Sequence, residues 1–455
     1  MDREHDQFEQ RREKRAQLRQ KQLQEQKRMR RNLILAGIVA AACIAGIFLL
    51  ARNSGRNAPA AEPEKPAVQA QSPVRPQPTE PTEETSSRKK APTTIHIRAA
   101  GDLNITKSVV ESGLVASGYD FTRAFLDVSH LLADADMTML NFNGNIAGEP
   151  YGSETMSCPS QILTALRNAG VDVVQTANCS SVHNGLIGLK STISAVRNAG
   201  LTPIGSYASP QEYQESKGYI ICDVQGVKVA LVAFTKGVGG RGMPAGNEDC
   251  VNLLYTDYAS YYKDVNKDKI NAILKEVEAE KPDITVAMLH WGSEFNDVIS
   301  ESQEDIAALL KKRGVDVIIG SHPHMVQKID FDKDNGTLVA YSLGDFYGDA
   351  TRDGTYYSII LDLEITKDPE MGTTKVTNFS YTPIFTVKDT ESPDGFRRVV
   401  RIEQAMLAYE GNYVDKVSAS AYANMQKAMR RIYERVTGEE YPDPTDPTAV
   451  TETTP

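Results

Sequence analysis

Side chains that could bind a metal ion or transfer a proton follow several short apolar segments of this chain. They are Asp102 and Asn104 in "AAGDLN", Asn141 and Asn143 in "LNFNGN", Asn178 and His183 in "VQTANCSSVHNG", His290 and Glu294 in "LHWGSE", His322 and His324 in "IIGSHPH", and Asp345 in "YSLGDF". Four of the seven histidines in the chain belong to this set. Carboxylate, amide and imidazole groups are common ligands of divalent metal ions. The set therefore points to a metal site or to acid and base chemistry.

Each of these motifs is weak evidence when taken alone. A histidine pair after a strand is more often buried and satisfied by backbone groups, and a Gly-Asp pair is usually a turn. The "HWGSE" segment is also compatible with a tryptophan at a domain edge and a solvated glutamate. Ligands of α/β sheets bind at the carboxyl ends of strands, because loops and helix N-termini converge there. The occurrence of every motif at a predicted strand end favours one shared site.

The elements that position these residues alternate between β-rich segments and helical patterns. The predicted strands are 95–105, 137–144, 171–178, 283–292, 315–324 and 337–346. Between them, "CPSQILTALRNAG", "GLKSTISAVRNAG" and "SQEDIAALLKKRG" have apolar residues at helical spacing and a glycine where the helix would end. Residues 218–235 read as two strands around a Gln-Gly turn, and more sheet is predicted after residue 355. The pattern predicts an α/β domain with both parallel and antiparallel pairing.

In these motifs and their order the chain resembles the CapA, or poly-γ-glutamate capsule biosynthesis (PGA_cap), family, whose domain is similar to the calcineurin-like metallophosphatases. The resemblance runs from Ile95 to Phe346, through "GDLN", "NFNGNI", the segment around "ANCSSVHNG", "LHWGSEF", "GSHPHMVQ" and "YSLGDF". It implies a metallophosphatase-like α/β/β/α sandwich with mixed sheets. It also implies an ancestral centre of two metal ions at the strand ends.

The resemblance also assigns roles to individual residues. Asp102 matches the first aspartate of the family, Asn178 its asparagine ligand, and His290, His322 and His324 its three later histidines. Asn143 stands where the family has a metal-bridging carboxylate. The expected metal ligands are therefore Asp102, Asn143, Asn178, His290, His322 and His324.

Several positions depart from the family pattern. Cys179 replaces an asparagine, Ser180 replaces the expected histidine, and His183 stands in place of an aspartate. Two divalent ions about 4 Å apart repel each other by roughly 17 kcal/mol at an effective dielectric constant near 20. A neutral Asn143 offsets far less of this repulsion than a carboxylate. We therefore expect a degenerate site with at most one divalent ion, Mn²⁺, Zn²⁺ or Mg²⁺, and Glu294 and Asp345 are candidates to restore an anionic ligand.

The two ends of the chain do not have the composition of a folded domain. Residues 1–31 contain eleven Lys or Arg against six Asp or Glu, and residues 32–51 are almost wholly apolar. Twenty helical residues span about 30 Å, the thickness of a bilayer core. We expect a basic cytoplasmic segment (1–31), an uncleaved transmembrane helix (32–51), a Pro-rich disordered stalk (52–92), an extracytoplasmic domain (93–436) and a disordered acidic tail (437–455). A cleaved signal peptide is the alternative reading of the apolar segment.

Charge and cysteine usage limit the classes of partner. The net charge of the chain is −10 although its first 31 residues are basic, which argues against nucleic acid. Cys43 lies in the predicted membrane helix, and Cys158, Cys179, Cys222 and Cys250 allow three disulfide pairings, among which the sequence does not choose. The cysteine spacing does not match a structural zinc site.

Two functions remain open. The first is a metal-dependent hydrolase or transferase that cleaves a phosphoester or amide bond in an envelope polymer, with His290 or His183 transferring protons. The second is an accessory protein that binds or guides an anionic capsule or cell-wall polymer, together with membrane-bound synthesis proteins. Polymer binding would need a local basic cleft such as Lys236 and Arg241 in "FTKGVGGRGMP", although this loop also reads as a mobile surface lid. The lost ligands favour the accessory role.

Overall fold

The computed structural model describes residues 91–392, 394–414 and 416–442. The predicted cytoplasmic segment, the transmembrane helix, nearly all of the stalk and the end of the tail lie outside these residues. Within the described part of the chain, no helix has both the length and the apolar composition needed to cross a bilayer.

Two mixed β-sheets form the centre of this part of the chain. The first has the order β16-β15-β14-β1-β4-β5-β6, with β13 also paired to β1. Its strands are β1 (Thr93–Asn104), β4 (Met137–Asn143), β5 (Val173–Gln175), β6 (Thr202–Ile204), β13 (Asp345–Tyr347), β14 (Tyr357–Asp368), β15 (Thr373–Val387) and β16 (Arg398–Arg401). The second has the order β11-β12-β10-β9-β8-β7. Its strands are β7 (Tyr219–Val224), β8 (Val227–Thr235), β9 (Ile284–His290), β10 (Val317–Ser321), β11 (Ile329–Asp332) and β12 (Thr337–Ala340), and a separate short hairpin pairs β2 (Leu114–Val115) with β3 (Gly118–Tyr119).

Nine α-helices lie in the described part of the chain, and several of them connect parallel strands. They are α1 (Lys107–Ser112), α2 (Leu126–Ala133), α3 (Gln161–Asn168), α4 (Gly185–Asn198), α5 (Pro210–Ser216), α6 (Lys267–Ala279), α7 (Glu301–Lys312), α8 (Ile402–Glu410) and α9 (Ala419–Thr437). The predicted glycine stops follow α3, α4 and α7, where Gly170, Gly200 and Gly314 have φ values of 105°, 78° and 81°. Glycine adopts this left-handed backbone without the steric penalty of a side chain.

Three apolar cores show that the elements form four layers. One core lies between the sheets and joins Ile97 and Met139 of the first sheet to Val229 and Val286 of the second. A second core packs the outer face of the first sheet against α2, α3 and α4. A third core packs the outer face of the second sheet against α6 and α7. The α/β arrangement with mixed sheets is confirmed, and its layers follow the order α/β/β/α.

The prediction of a single strand over 337–346 was wrong, because this segment contributes to two strands in different sheets. The chain pairs as β12 in the second sheet, leaves it after Ala340, and pairs as β13 with β1 of the first sheet from Asp345. Gly344, with φ 81°, lies in the crossing. The apolar pattern is continuous because both halves are buried, so the sequence does not reveal the change of sheet.

An aspartate precedes four of the parallel strands and caps the amino edge of the sheets. Its carboxylate accepts the backbone N–H of the neighbouring strand, at 2.7 to 3.0 Å, and its own N–H donates to the carbonyl of the same neighbouring residue. The pairs are Asp136 with His96, Asp172 with Thr138, Asp283 with Lys228, and Asp316 with Thr285. Each aspartate therefore satisfies a strand-end N–H that the parallel ladder leaves open.

All four cysteines in the described residues carry free thiols. Cys158 and Cys250 are buried, and Cys179 and Cys222 are half-buried. None of the three possible pairings is formed among them.

Candidate metal centre at the strand ends

Most of the predicted polar residues meet where the carboxyl ends of β1, β4, β9 and β10 approach one another. The register of the parallel strands places these residues side by side, because neighbouring parallel strands end at the same edge of the sheet. The register pairs are Asp102 with Asn141, Asn104 with Asn143, Asp102 with Asp345, and His290 with Ser321.

Asp102 connects the two sheets. Its carboxylate is fully buried, accepts the backbone N–H of His322 at 2.9 Å, and accepts the side-chain amide of Asn141. Its own N–H donates to the carbonyl oxygen of Gly344 at 2.9 Å. Burial raises the pKa of Asp102, while His324 and the two hydrogen bonds oppose that shift. The carboxylate thus fixes the position of the turn that carries both later histidines.

That turn has an unusual backbone. His322 and His324 have φ values of 92° and 61°. A left-handed conformation costs a non-glycine residue about 1–2 kcal/mol. Gly320 precedes the turn, and a Cβ there would lie 1.9 Å from the carbonyl oxygen of Tyr341. The fold holds the two histidines in place against local strain and requires a glycine beside them.

His290 and His322 present imidazole nitrogens that have no hydrogen-bond partner among the described residues. Their rings are nearly fully buried and their centroids are 4.3 Å apart. His290 Nδ1 lies 3.2 Å from Thr235 Oγ1, whereas its Nε2 and the Nδ1 of His322 are buried without a partner. Burial lowers the pKa of both groups well below the usual histidine value. Neutral imidazole is the form that binds metal ions.

His324 is committed to an ion pair. Its Nδ1 lies 2.7 Å from Asp345 Oδ1 and 4.0 Å from Asp102 Oδ2. Burial lowers the pKa of His324, but these two carboxylates outweigh it and raise that pKa to about 9. Burial raises the pKa of Asp345 to about 6 against the effect of His324. Asp345 therefore orients the His324 ring, and the charged ring compensates the negative charge of the Asp345 carboxylate.

A neutral hydrogen-bond network occupies the position of the expected bridging carboxylate. Asn143 donates to Asn104 Oδ1 at 2.9 Å, and its Oδ1 accepts the hydroxyl of Ser180 at 2.8 Å and the thiol of Cys179 at 3.4 Å. Asn178 donates to the carbonyl of Phe142 at 2.7 Å. Both predicted amide ligands are thus engaged by other protein groups.

His183 lies apart from the other predicted site residues. Its Nε2 is 3.0 Å from the carbonyl oxygen of Glu154, in a half-buried position on the loop before α4. Its role in proton transfer stays a prediction. Glu294 is exposed, but one of its oxygens lies within 4.8 Å of ligand nitrogens of His322 and His324.

Three groups of the described residues have ligand atoms within 4.8 Å of one another. They are Cys179 with His290 and His322, Glu294 with His322 and His324, and Asp102 with His324 and Asp345. The first group contains both histidines that have an unpartnered ring nitrogen, so the residues present fit a single divalent ion better than a bridged pair.

The predicted basic cleft is only partly formed. Lys236 donates to the carbonyl of Gly292 at 2.5 Å and lies 4.5 Å from the ring centroid of Tyr262. Burial lowers the pKa of Lys236, with Glu294 opposing that shift. Arg241 is exposed and contacts the carbonyl of Gly239. The ammonium group of Lys236 is therefore engaged by other protein groups. Arg241 is the basic side chain of this loop that is exposed to solvent.

An aromatic and cationic stack beside His324 was not predicted. The Phe295 ring stacks on His324 with centroids 5.0 Å apart, and the exposed Arg352 guanidinium lies 3.8 Å from the Phe295 centroid. Phe295 follows the "HWGSE" motif directly, which is a signal that could have identified it. Arg352 has no comparable sequence signal.

Comparisons with known proteins agree with these motifs. A protein-family model described as "Bacterial capsule synthesis protein PGA_cap" matches residues 96–350. The chain is similar to "Capsule biosynthesis protein CapA" of Bacillus anthracis, with 28% identity over 256 residues, 55% of this chain and 58% of that protein. It is also similar to "PGA biosynthesis protein CapA" of Bacillus subtilis strain 168, with 27% identity over 258 residues, 56% of this chain and 62% of that protein. The aligned part thus spans less than two thirds of the length of either relative.

A structural comparison adds a more distant likeness. The crystal structure of a novel phosphatase from Mycoplasma pneumoniae superposes with a TM-score of 0.39 and 11% identity, over 64% of this chain and 94% of that protein.

Proposed function

The chain belongs to the bacterial capsule synthesis protein family PGA_cap, and on that premise we propose that it handles an anionic capsule or cell-envelope polymer during its synthesis. The matched residues 96–350 include the whole strand-end site, and two relatives are named for capsule and PGA biosynthesis. A polymer of the poly-γ-glutamate type would present a carboxylate on every unit.

We further propose that the protein acts outside the cytoplasm, held to the membrane by residues 32–51. The apolar composition of this segment and the basic residues before it support that orientation. Membrane-bound polymer synthesis proteins would then be its neighbours. Reporter fusions placed before residue 32 and after residue 455 test the orientation: activity of an export-dependent reporter at the first position, or its absence at the second, would contradict it.

An accessory role with one divalent ion is the function that the geometry supports best. The observation that carries it is Asn143, which stands at the bridging position and is engaged by Asn104 and Ser180. His290 and His322 would hold the ion, with Asp102 and His324 beside them. A bound divalent ion polarises carboxylate, amide or phosphate oxygens of a ligand.

Arg352 offers the first contact for an anionic polymer. Its exposed guanidinium lies on Phe295, which in turn stacks on His324. A guanidinium can bind a carboxylate or phosphate with two parallel hydrogen bonds. The stack therefore supports binding of an acidic chain at the edge of the site.

A metal-dependent hydrolase or transferase is the second candidate. The unpartnered nitrogens of His290 and His322 and the strained backbone of the "HPH" turn favour it, because strain and unsatisfied groups collect at catalytic sites. In this role His290 would accept or release a proton at Nε2. The hydrogen bond between its Nδ1 and Thr235 Oγ1 would hold the ring in place.

Binding, metal and turnover measurements on the full-length protein distinguish the two candidate functions. Binding of poly-γ-glutamate should weaken several-fold in Arg352→Gln and stay unchanged in Arg313→Gln, which alters an exposed arginine just after α7. Elemental analysis should find about one divalent ion per chain. In phosphodiesterase and amide-hydrolysis assays with Mn²⁺, Zn²⁺ and Mg²⁺, we expect no turnover that depends on His322. The parent protein and His322→Ala should therefore give the same result. Such turnover would establish the hydrolase, and unchanged polymer binding in Arg352→Gln would contradict the assigned contact.

A further inference from the structure

We propose that Cys179 is a metal ligand and that, with His290 and His322, it makes this centre select Zn²⁺ over Mn²⁺ and Mg²⁺. This inference rests on the proposed one-ion site and deepens it by naming the third ligand and the metal. The resemblance assigns no metal-binding role to this cysteine, and the spacing of cysteines along the chain does not reveal it.

The position of Cys179 follows from the end of β5. Asn178 anchors the loop by donating to the carbonyl of Phe142, and its Oδ1 accepts the backbone N–H of Ser180 at 3.0 Å. Cys179 lies between these two anchored residues. Its thiol is left facing the β9 and β10 ends, within 4.8 Å of ligand nitrogens of His290 and His322.

The two histidines provide an independent sign of a ligand at the same place. His290 is 0% exposed and His322 is 6% exposed, yet each has a buried ring nitrogen without a hydrogen-bond partner in the described part of the chain. Buried polar atoms are nearly always paired, so two unpartnered nitrogens on rings 4.3 Å apart mark a binding position.

The spacing of the three residues suits zinc. A zinc ion lies about 2.3 Å from a thiolate sulfur and about 2.0–2.1 Å from an imidazole nitrogen, so its ligand atoms are at most about 4.4 Å apart. The three ligand atoms lie within 4.8 Å of one another, which leaves at most small side-chain rotations to bring all three to an ion. The only hydrogen bonds found for the Cys179 thiol among the described residues are weak, at 3.4 Å to Asn143 and 3.9 Å to Ser180. Only these weak hydrogen bonds are lost when the thiol turns toward the ion. Burial raises the pKa of Cys179 to about 11, so the thiolate would form only with the bound divalent cation beside it.

The donor set determines which metal is favoured. Thiolate and imidazole together are typical of zinc, whereas Mg²⁺ and Mn²⁺ prefer oxygen ligands. A centre without Cys179 would offer only imidazole and carboxylate groups and would discriminate less. Cys179 is the one described cysteine that belongs to a candidate ligand group.

Cobalt substitution in the full-length protein tests the inference, because a cobalt–thiolate bond has a charge-transfer band in the near ultraviolet that nitrogen and oxygen ligands lack. We expect this band in the parent protein and in Cys222→Ser, which alters a half-buried cysteine on β7. In Cys179→Ser the band should disappear and the affinity for Zn²⁺ should fall about 100-fold or more. Zn²⁺ should also protect Cys179 of the parent protein from alkylation, a readout that needs no variant to fold.

The outcomes distinguish this inference from the proposal on which it rests. Cobalt bound without the thiolate band, or Cys179→Ser binding Zn²⁺ as tightly as the parent, would remove Cys179 from the site and leave the one-ion proposal intact. Failure of the parent protein to bind any of the three metals would overturn both.

Discussion

The two edges of the central sheets treat polar groups in opposite ways. At the amino edge, Asp136, Asp172, Asp283 and Asp316 each pair with the backbone of the adjacent strand. At the carboxyl edge, His290 and His322 hold unpartnered nitrogens, and the turn after β10 has left-handed residues. The same strands run between both edges. At the amino edge the polar groups form hydrogen bonds that stabilise the sheet. At the carboxyl edge some polar groups lack such bonds, as expected of groups that are available to bind a ligand.

The largest effect is expected where the carboxyl edge depends on close backbone contact. A Cβ on Gly101 would lie 1.8 Å from the carbonyl oxygen of Gly344. Gly101→Ala must push β1 away from the crossing segment and should lower the free energy of unfolding by at least about 3 kcal/mol. Urea unfolding measures this, with Gly242→Ala as control, because a Cβ at Gly242 meets no atom within 4 Å. Equal stability of the two variants would contradict the close contact.

The amino edge should respond next in size. Asp283 accepts the N–H of Lys228 at 2.7 Å and the ammonium of Lys367 at 2.6 Å. Asp283→Ala leaves both donors without this partner and should lower the free energy of unfolding by about 2 kcal/mol. Asp283→Asn keeps an acceptor for the N–H and should lose about half as much. If both variants unfold like the parent, the aspartates do not stabilise this edge.

Asp316 should make the amino edge sensitive to pH. Burial raises its pKa from 3.8 to about 6, against the hydrogen bond from Thr285. A carboxyl whose pKa is higher in the folded state favours folding when protonated, so its contribution is lost as pH rises from about 4 to about 6. Asp316→Asn keeps an acceptor and does not ionise. The variant should match the parent near pH 4 and become more stable than the parent as the pH rises to 8. Thermal unfolding across this range measures the difference, and a constant difference at all pH values would contradict it.

The smallest effect is expected at the unpartnered histidine. In the absence of metal, His322→Asn should change the free energy of unfolding by less than about 1 kcal/mol, because Nδ1 has no partner and asparagine tolerates positive φ. Urea unfolding in the presence of a chelator measures it beside Asp283→Ala. A loss as large as that of Asp283→Ala would show that the carboxyl edge is as locally stabilised as the amino edge.

Much of the sheet framework follows from local sequence. The strands β4, β9 and β10 lie within the predicted segments, and β1 begins two positions before its segment. The prediction succeeds because each strand has a largely buried, β-rich core. The helices α3, α4 and α7 follow from helical spacing and a terminal glycine. Helices α8 and α9 were not predicted, because only further sheet was expected in the domain after residue 355.

The site was predicted as a set of residues, but its contacts were not. Asp102 accepts a hydrogen bond from a residue 220 positions away, and local sequence does not encode such a pairing. The motif "ANCSSVHNG" shows the limit clearly: Asn178 and Cys179 face the site, whereas His183 turns toward Glu154. The aspartates before the strands were overlooked, although an aspartate directly before an apolar run is visible in "VDVV", "PDIT" and "VDVI".

The place of β1 in its sheet also sets the order in which the molecule can be completed. β1 lies between β4 and β14, and its Thr94 meets Thr366, 272 positions later. At a synthesis rate of about 5–20 residues per second, β1 waits on the order of 15–50 seconds for that neighbour. Asp102 itself pairs with Asp345 of β13, 243 positions later, and accepts a hydrogen bond from the "HPH" turn, 220 positions later. The site that we propose for a divalent ion can therefore form only when most of the chain is present, and a chain truncated before residue 345 would lack part of it.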